Sequence, residues 1–299
     1  MFKRTEEKLN EQIQPYPDGH GGQIGPNTSY TLTQMMPPVL EPHTAQNPSA
    51  TRIRIARPRT GYVPTEYRAI RQFCHDLHHH HDSNKDDDGG RKETETETAL
   101  FVHLGEARGL WDHHVTIERC AFKQGMTSDF WGAVGGAPRG DRKYYTVPDA
   151  VGEVVDDLGP CPWGADVPVG LRTALDVDAV ADKARGILRM CSQFSSNSSR
   201  GGGGGGNRAA EAEEDRDNGP LGILPHLEAG FYGCGFIYYE SLANCYVKQQ
   251  QLEGRYNKPN VLFCHVPGKE DARSLVRARD AVLAVIVAAV DEVLRAGGA

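Results

Sequence analysis

The chain has few apolar residues for its 299-residue length. Hydrophobic residues make up 38% of it, and the mean hydropathy is -0.53, which is below an ordinary globular mix. No apolar run approaches the ~20 residues that a membrane-spanning helix needs. The start of the chain, Met1 to Lys8, is charged and lacks the apolar segment of a signal peptide. We therefore expect a soluble, cytoplasmic protein that does not associate with membranes.

Clustered positive charge and paired cysteines are also missing. The formal net charge is -7, and the Lys and Arg residues are scattered, which argues against a nucleic-acid partner. The seven cysteines are odd in number and include no C-x-x-C pair. This pattern favours reduced thiols over a disulfide framework and supports an intracellular location.

Three polar segments are too poor in apolar residues to offset the entropy cost of ordering them. They are the first ~25 residues, His75 to Glu97 and Ser192 to Gly219. We predict an atypical or disordered N-terminus over 1–26. Residues 27–299 then form one domain, with disordered inserts at about 75–97 and 192–219.

Short apolar runs alternate with segments of helical periodicity between these polar segments. The runs end at turn residues, as strands buried on both faces do. The predicted strands are Ala99 to Leu104, Asn260 to Val266 and, more weakly, His114 to Glu118 and Leu221 to Leu224. The predicted helices are Glu66 to Cys74, Val177 to Cys191, Cys234 to Gln251 and Asp271 to Arg295. This alternation predicts an α/β fold, a three-layer α/β/α sandwich with a mostly parallel central sheet.

One cysteine and one histidine lie where such a fold places functional groups. Cys234 follows a Gly-containing turn and opens a predicted helix. The helix dipole and the unpaired N–H groups at that position favour a nucleophilic thiolate. His265 lies at the C-terminal end of a predicted strand, at the edge where parallel sheets hold their ligands. Cys264 precedes it and should face the opposite side of the sheet, in the core.

Five segments together resemble a known peptidase family, pyroglutamyl peptidase I. They follow the order of that family's motifs and are Phe101 to Gly105, Val115 to Ala121, Glu228 to Cys234, Tyr238 to Leu242 and Leu262 to Pro267. The third and fourth are similar to the signature Asp-Ala-Gly-x-Tyr-Leu-Cys…Tyr-x-Ser-Leu. The last is similar to Phe-x-His-Val-Pro, and the first two to His-x-Gly…Leu-Glu-x-x-Ala.

The resemblance implies a cysteine omega-peptidase that removes an N-terminal pyroglutamyl residue from peptides through a thioester. Cys234 would be the nucleophile, His265 the base and Glu118 the residue that orients the base. Asn27 and Glu106 occupy positions that imply substrate binding. The resemblance implies no metal and no cofactor, and it leaves a homo-oligomer open.

The chain departs from the family pattern most strongly at its N-terminus. Members of the family open with a strand and a Thr-Gly-Phe-Gly-Pro-Phe loop whose aromatic residues hold the substrate ring, whereas residues 1–26 here are polar. His226 also stands where a Ser is usual. An alternative is therefore a catalytically weak or inactive homologue that acts as a binding protein.

The histidine run His78 to His81 leaves one further alternative, which is metal storage or delivery. Metal-ligating side chains are abundant there, yet the spacing is not that of a structural zinc site. A solvated low-complexity loop is the favoured interpretation.

Overall fold

A computed structural model describes residues 5–11, 27–57, 63–83, 98–107, 113–124, 144–198, 221–251 and 260–297. Its strands are β1 (Thr5–Glu11), β2 (Val39–Leu40), β3 (Ile53–Ala56), β4 (Thr98–Ala107), β5 (His114–Phe122), β6 (Gly170–Arg172), β7 (Gly222–Glu228) and β8 (Val261–Pro267). Its α-helices are α1 (Thr28–Met35), α2 (Tyr67–Ser83), α3 (Val177–Ser198), α4 (Gly233–Gln251) and α5 (Ala272–Gly297).

Side-chain caps fix where three of the helices begin. Asn27 accepts a hydrogen bond from the Ser29 N–H at 2.9 Å at the start of α1. Asp176 accepts two hydrogen bonds from backbone N–H groups in the first turn of α3. Asp271, which precedes α5, accepts one from the Ser274 N–H in the first turn of that helix. Each cap satisfies backbone donors that have no partner within the helix itself.

The strands form one sheet in the order β2-β3-β1-β4-β8-β5, and β7 pairs with the far edge of β5. The β3–β1, β1–β4, β4–β8 and β5–β7 pairs are parallel. Strand β5 runs antiparallel to both β8 and β6, which follow one another along one of its edges. The sheet is therefore mostly parallel, as the sequence predicts.

Helices cover both faces of the sheet and bury two separate apolar cores. One core joins α1, α3 and α5 to strand residues such as Leu100, Leu104 and Cys264. The other core joins α2 and α4 to Phe101 and Phe263 from the same strands. Successive residues of a strand alternate between the two cores because their side chains point to opposite faces. This arrangement confirms the predicted α/β/α sandwich.

The N-terminal segment contains a strand that its polar sequence does not predict. Strand β1 lies between β3 and β4, and its backbone pairs with both of them. Within the segment predicted to be atypical or disordered, Thr5–Glu11 forms a strand, since ladder hydrogen bonds come from the backbone, which polar residues also supply. The remainder of that segment lies outside the described residues.

The predicted inserts begin later than composition suggested. Helix α2 continues to Ser83, and α3 continues to Ser198, so the first residues of both inserts are helical. The boundary near residue 75 is wrong because packing against α4 stabilises the last turns of α2, as His78 shows below. Residues 84–97 and 199–219 lie outside the described part of the chain.

Over the residues that the structure describes, we find no helix both long and apolar enough to span a bilayer.

Candidate active site

Cys234 is the second residue of α4, directly after a tight glycine turn. Gly230 has φ 87°, a backbone conformation that residues other than glycine rarely adopt. A Cβ atom on Gly235 would lie 1.8 Å from the Gly230 carbonyl oxygen. The turn therefore closes onto the first turn of the helix only because both positions are glycine. This packing holds the Cys234 thiol at the positive end of the helix dipole.

His265 bridges the thiol and a buried carboxylate. It lies on β8 between Gly105 of β4 and Thr116 of β5, with which its backbone is in register. Its Nδ1 lies 2.8 Å from Oε1 of Glu118, and its side chain also interacts with the Cys234 sulfur. Because Nδ1 faces the carboxylate, Nε2 is the ring nitrogen left for the thiol. The imidazole of His265 therefore links the Cys234 thiol to the Glu118 carboxylate.

Glu118 is a fully buried carboxylate that receives three side-chain hydrogen bonds. Oε1 contacts His265 Nδ1 and accepts a bond from Thr116 Oγ1 at 2.6 Å, and Oε2 lies 2.6 Å from His226 Nδ1. Burial by itself raises the pKa of Glu118, but the bonds and charges of the two histidines outweigh it and lower that pKa. Glu118 is therefore an anion at neutral pH.

The same contacts control the charge of His265. Burial lowers its pKa, whereas the Cys234 sulfur and the Glu118 carboxylate raise it, and the net result is a pKa of about 10. The imidazole is thus protonated around neutral pH when a thiolate lies beside it. A Cys–His ion pair of this kind is the reactive state of a cysteine nucleophile.

A glycine makes room for the nucleophile on the neighbouring strand. A Cβ atom on Gly105 would lie 3.0 Å from Cys234 Sγ and 2.6 Å from Cζ of Phe263. Both distances are shorter than ordinary carbon contacts, so a side chain at this position would displace the sulfur or the ring.

The two predicted substrate-binding residues meet each other at the end of β4. The Glu106 carboxylate accepts a 2.8 Å bond from the Thr28 N–H, and Asn27 caps the helix that Thr28 begins. Strand alternation directs Glu106 towards α1, whereas Gly105 faces Cys234. The structure therefore places Asn27 and Glu106 at the same C-terminal end of β4 as Cys234 and His265, but on the opposite face of the sheet.

Cys264 has the packing role that the sequence predicts for it. Cys264 is fully buried in the α1/α3/α5 core, on the face of β8 opposite His265. Burial raises the pKa of Cys264 well above its usual value, and it raises the pKa values of Cys120 and Cys245 to about 12. Their thiols stay protonated at neutral pH, which makes them poor nucleophiles. Cys161 and Cys191 are only partly buried.

The favoured interpretation of the histidine run as a solvated loop is wrong for His78. This residue lies within α2 and is only 3% exposed. Its Nε2 lies 2.7 Å from Oγ of Ser241 in α4, and its ring packs against Phe101. The position of His78 along α2 directs its side chain towards the core. The composition of the histidine run does not indicate this direction. The described residues contain no group of three or more candidate metal ligands.

Two groups that contact the catalytic candidates were not predicted as site residues. Thr116 precedes Glu118 by two positions, so both side chains lie on one face of β5. His226 is level with Glu118 in the β5–β7 register. Alternation along β5 could have indicated Thr116, but His226 required knowledge of which strand pairs with β5.

Comparison with solved structures identifies the fold. The structure matches a pyrrolidone carboxyl peptidase from Thermococcus litoralis with a TM-score of 0.50 and 13% identity, covering 98% of this chain and 96% of that one. It matches the pyrrolidone carboxyl peptidase from Pyrococcus furiosus with the same TM-score and 14% identity, covering 97% and 99%. The chain has the fold of these peptidases.

This pyrrolidone carboxyl peptidase fold agrees with the expectation drawn from the motifs. No protein-family model and no curated protein matches the sequence itself. At 13–14% identity the structural likeness establishes the fold alone.

Proposed function

We propose that the chain is a cysteine peptidase that removes an N-terminal pyroglutamyl residue from peptides. The observation that carries this proposal is that His265 interacts with the Cys234 sulfur and hydrogen-bonds the buried Glu118 carboxylate. A thiol at a helix N-terminus, an imidazole and an orienting carboxylate are the groups that nucleophilic acyl transfer needs.

Acylation begins from the ion pair. The Cys234 thiolate attacks the pyroglutamyl carbonyl carbon, and the carbonyl oxygen becomes an oxyanion. Backbone N–H groups in the first turn of α4 are the donors closest in sequence to the sulfur, and removing one such donor typically costs about 2.7–4 kcal/mol in the transition state. The imidazolium of His265 then gives its Nε2 proton to the leaving amine nitrogen. The C–N bond breaks and a thioester remains.

Hydrolysis reverses these roles. Neutral His265 takes a proton from water, the hydroxyl oxygen attacks the thioester carbon, and the C–S bond breaks to release pyroglutamate. Glu118 holds Nδ1 in the protonated tautomer and stabilises the positive charge that forms on the ring. No step needs a group beyond these residues and water.

We propose that Asn27 and Glu106 bind the pyroglutamyl ring and thereby select the substrate. The Nδ2 amide of Asn27 is buried and has no hydrogen-bond partner within the described part of the chain. A buried donor in that state costs about 1–3 kcal/mol, which a substrate carbonyl would relieve. The pyroglutamyl ring carries one amide N–H and one C=O, so it complements a carboxylate and an amide placed together. We also propose a cytoplasmic location, because the nucleophile has to remain a reduced thiol.

The direct test is turnover of a pyroglutamyl fluorogenic amide by the purified full chain under reducing conditions. We expect release by the wild type and none by Cys234→Ala, while Cys264→Ala serves as the matched cysteine control and retains activity. Substrates with N-terminal proline or glutamate should be cleaved far more slowly. If the wild type releases no more fluorophore than Cys234→Ala but still binds the amide, the chain is a binding protein instead.

A further inference from the structure

The Glu118 carboxylate serves two histidines at once. His265 binds Oε1 through Nδ1 at 2.8 Å, and His226 binds Oε2 through Nδ1 at 2.6 Å. His226 Nδ1 also lies 3.0 Å from the backbone oxygen of Glu228. The proposed mechanism uses only the first imidazole. The second is 27% exposed, so solvent protons can reach it, whereas the carboxylate is fully buried.

His226 is held in this position by the sheet. Strands β5 and β7 are parallel, and Glu118 and His226 are directly opposite one another in their register. Side chains at paired positions share one face of the sheet, so the contact follows from strand pairing. Since both acceptors of Nδ1 are oxygens, this nitrogen carries a proton, and Nε2 is the atom that gains or loses charge.

We propose that His226 is a positioning residue for the catalytic pair, one that keeps Cys234 and His265 in their reactive protonation states at lower pH than Glu118 alone would allow. The proposal rests on the proposed peptidase mechanism for its consequence, although the charge coupling on which it depends is independent of turnover.

The electrostatic reason is a like-charge effect. The hydrogen bond and charge of Glu118 raise the pKa of His226, so this ring is positively charged in mildly acidic solution. A positive charge next to the site lowers the pKa values of its neighbours. This charge also stabilises negative charge on the Cys234 sulfur, and it favours neutral His265 in the thioester intermediate, where His265 has to act as a base. Above the pKa of His226 the charge and its effect disappear.

The other charged and titratable groups around His226 do not replace this effect. Those on the packed elements are Glu118 and Cys120 on β5, Glu228 on β7, His265 on β8, Arg172 on β6 and Tyr144 in the segment that follows β5. Cys234 on α4 interacts with His265. Glu228 is held by the Tyr144 hydroxyl at 2.6 Å, and the thiol of Cys120 is neutral around pH 7. Among these residues, His226 is the group that contacts the second carboxylate oxygen of Glu118 and is partly exposed to solvent.

The test compares His226→Asn with wild type from pH 5 to pH 9. Asparagine retains an amide donor near the position of Nδ1 but cannot become charged. The first readout is the rate at which iodoacetamide alkylates Cys234, followed by mass spectrometry of the peptide that contains it. The second is turnover of the pyroglutamyl amide. His75→Asn, at an exposed histidine in α2, is the matched control.

We expect the acid limb of both profiles to move to higher pH by about 0.5–1 unit in His226→Asn, the scale of a nearby like charge. The profiles should merge with wild type near pH 9, and His75→Asn should show no shift. Superimposable profiles, or a loss by the same factor at every pH, would overturn the proposal, since a purely structural donor acts equally at all pH values. His226→Gln provides the same comparison if the asparagine variant does not fold.

The two readouts separate this inference from the proposed function. Alkylation needs no substrate, so a shifted alkylation profile without any turnover supports the role of His226 and refutes the peptidase. Turnover with unshifted profiles does the reverse.

Discussion

Gly105 lies so close to Cys234 that there is no room for a methyl group between them. A Cβ atom on Gly105 would lie 3.0 Å from the Cys234 sulfur. Gly105→Ala should therefore move the nucleophile without removing any catalytic group. A displacement of about 1 Å can cost roughly 10²-fold in rate. We expect kcat to fall on that scale while the far-UV circular dichroism spectrum is unchanged.

The control for Gly105→Ala is Gly186→Ala in α3. A Cβ atom there meets no atom within 4 Å, so the change should leave kcat unaltered. It should also raise the free energy of unfolding by about 0.5–1 kcal/mol, because alanine favours helix over glycine. Equal losses of activity in both variants would contradict the role of Gly105.

Glu118→Gln tests the charge of the orienting residue with little change in shape. The amide oxygen can still accept the bond from His265 Nδ1, but it no longer stabilises a positive imidazole. We expect the pKa of His265 to fall and kcat to drop by about 10²- to 10⁴-fold, while remaining above that of Cys234→Ala. Glu41→Gln at an exposed position is the matched control. Imidazole titration by NMR and steady-state kinetics would measure the two effects, and an unchanged His265 titration would refute the assignment.

Cys264→Ala tests which of two cysteines near His265 is the nucleophile. The Cys264 side chain packs in the opposite core, so its loss should lower the free energy of unfolding by about 1 kcal/mol and leave kcat intact. Iodoacetamide should still modify Cys234 at the wild-type rate. Loss of turnover in a folded Cys264→Ala variant would show that the assignment of Cys234 is wrong.

His103 gives a prediction about stability at low pH. This histidine is fully buried, neither ring nitrogen has a hydrogen-bond partner within the described residues, and burial lowers its pKa to about 3. Between pH 6.5 and pH 3 His103 is protonated in the unfolded chain but neutral in the folded chain, so the free energy of unfolding falls as the pH falls. From pH 7 to pH 4 this effect amounts to about 3 kcal/mol.

His103→Leu removes that proton-linked loss. We expect the variant to equal or exceed wild type at pH 7 and to gain relative to it on acidification, as measured by denaturant unfolding at pH 4, 5.5 and 7. A stability difference that does not change with pH would show that His103 is not the group responsible.

His78→Ala tests whether the histidine run belongs to the core. The variant loses the contact with Ser241 and the packing against Phe101, so its free energy of unfolding should fall by about 2–3 kcal/mol. His75→Ala, on the exposed side of α2, should change stability by less than about 0.5 kcal/mol. Similar values for both would restore the solvated-loop interpretation.

The sequence alone predicted the elements that are apolar throughout and the site residues that belong to a local motif. The strands around Phe101 and Phe263 could be predicted because strands buried on both faces have no polar positions to disguise them. Cys234 could be placed at a helix start because a glycine turn precedes it. Alternation along β8 was enough to separate Cys264 from His265.

Tertiary pairing decided the rest. Strand β1 is polar, and its place between β3 and β4 follows from backbone hydrogen bonds, which leave no trace in hydropathy. His78 is buried because α2 packs against α4, and His226 reaches Glu118 because β7 pairs with β5 in one particular register. A sequence records which side chains can form such contacts, but strand order and register determine which of them meet, because they depend on residues far apart in the chain.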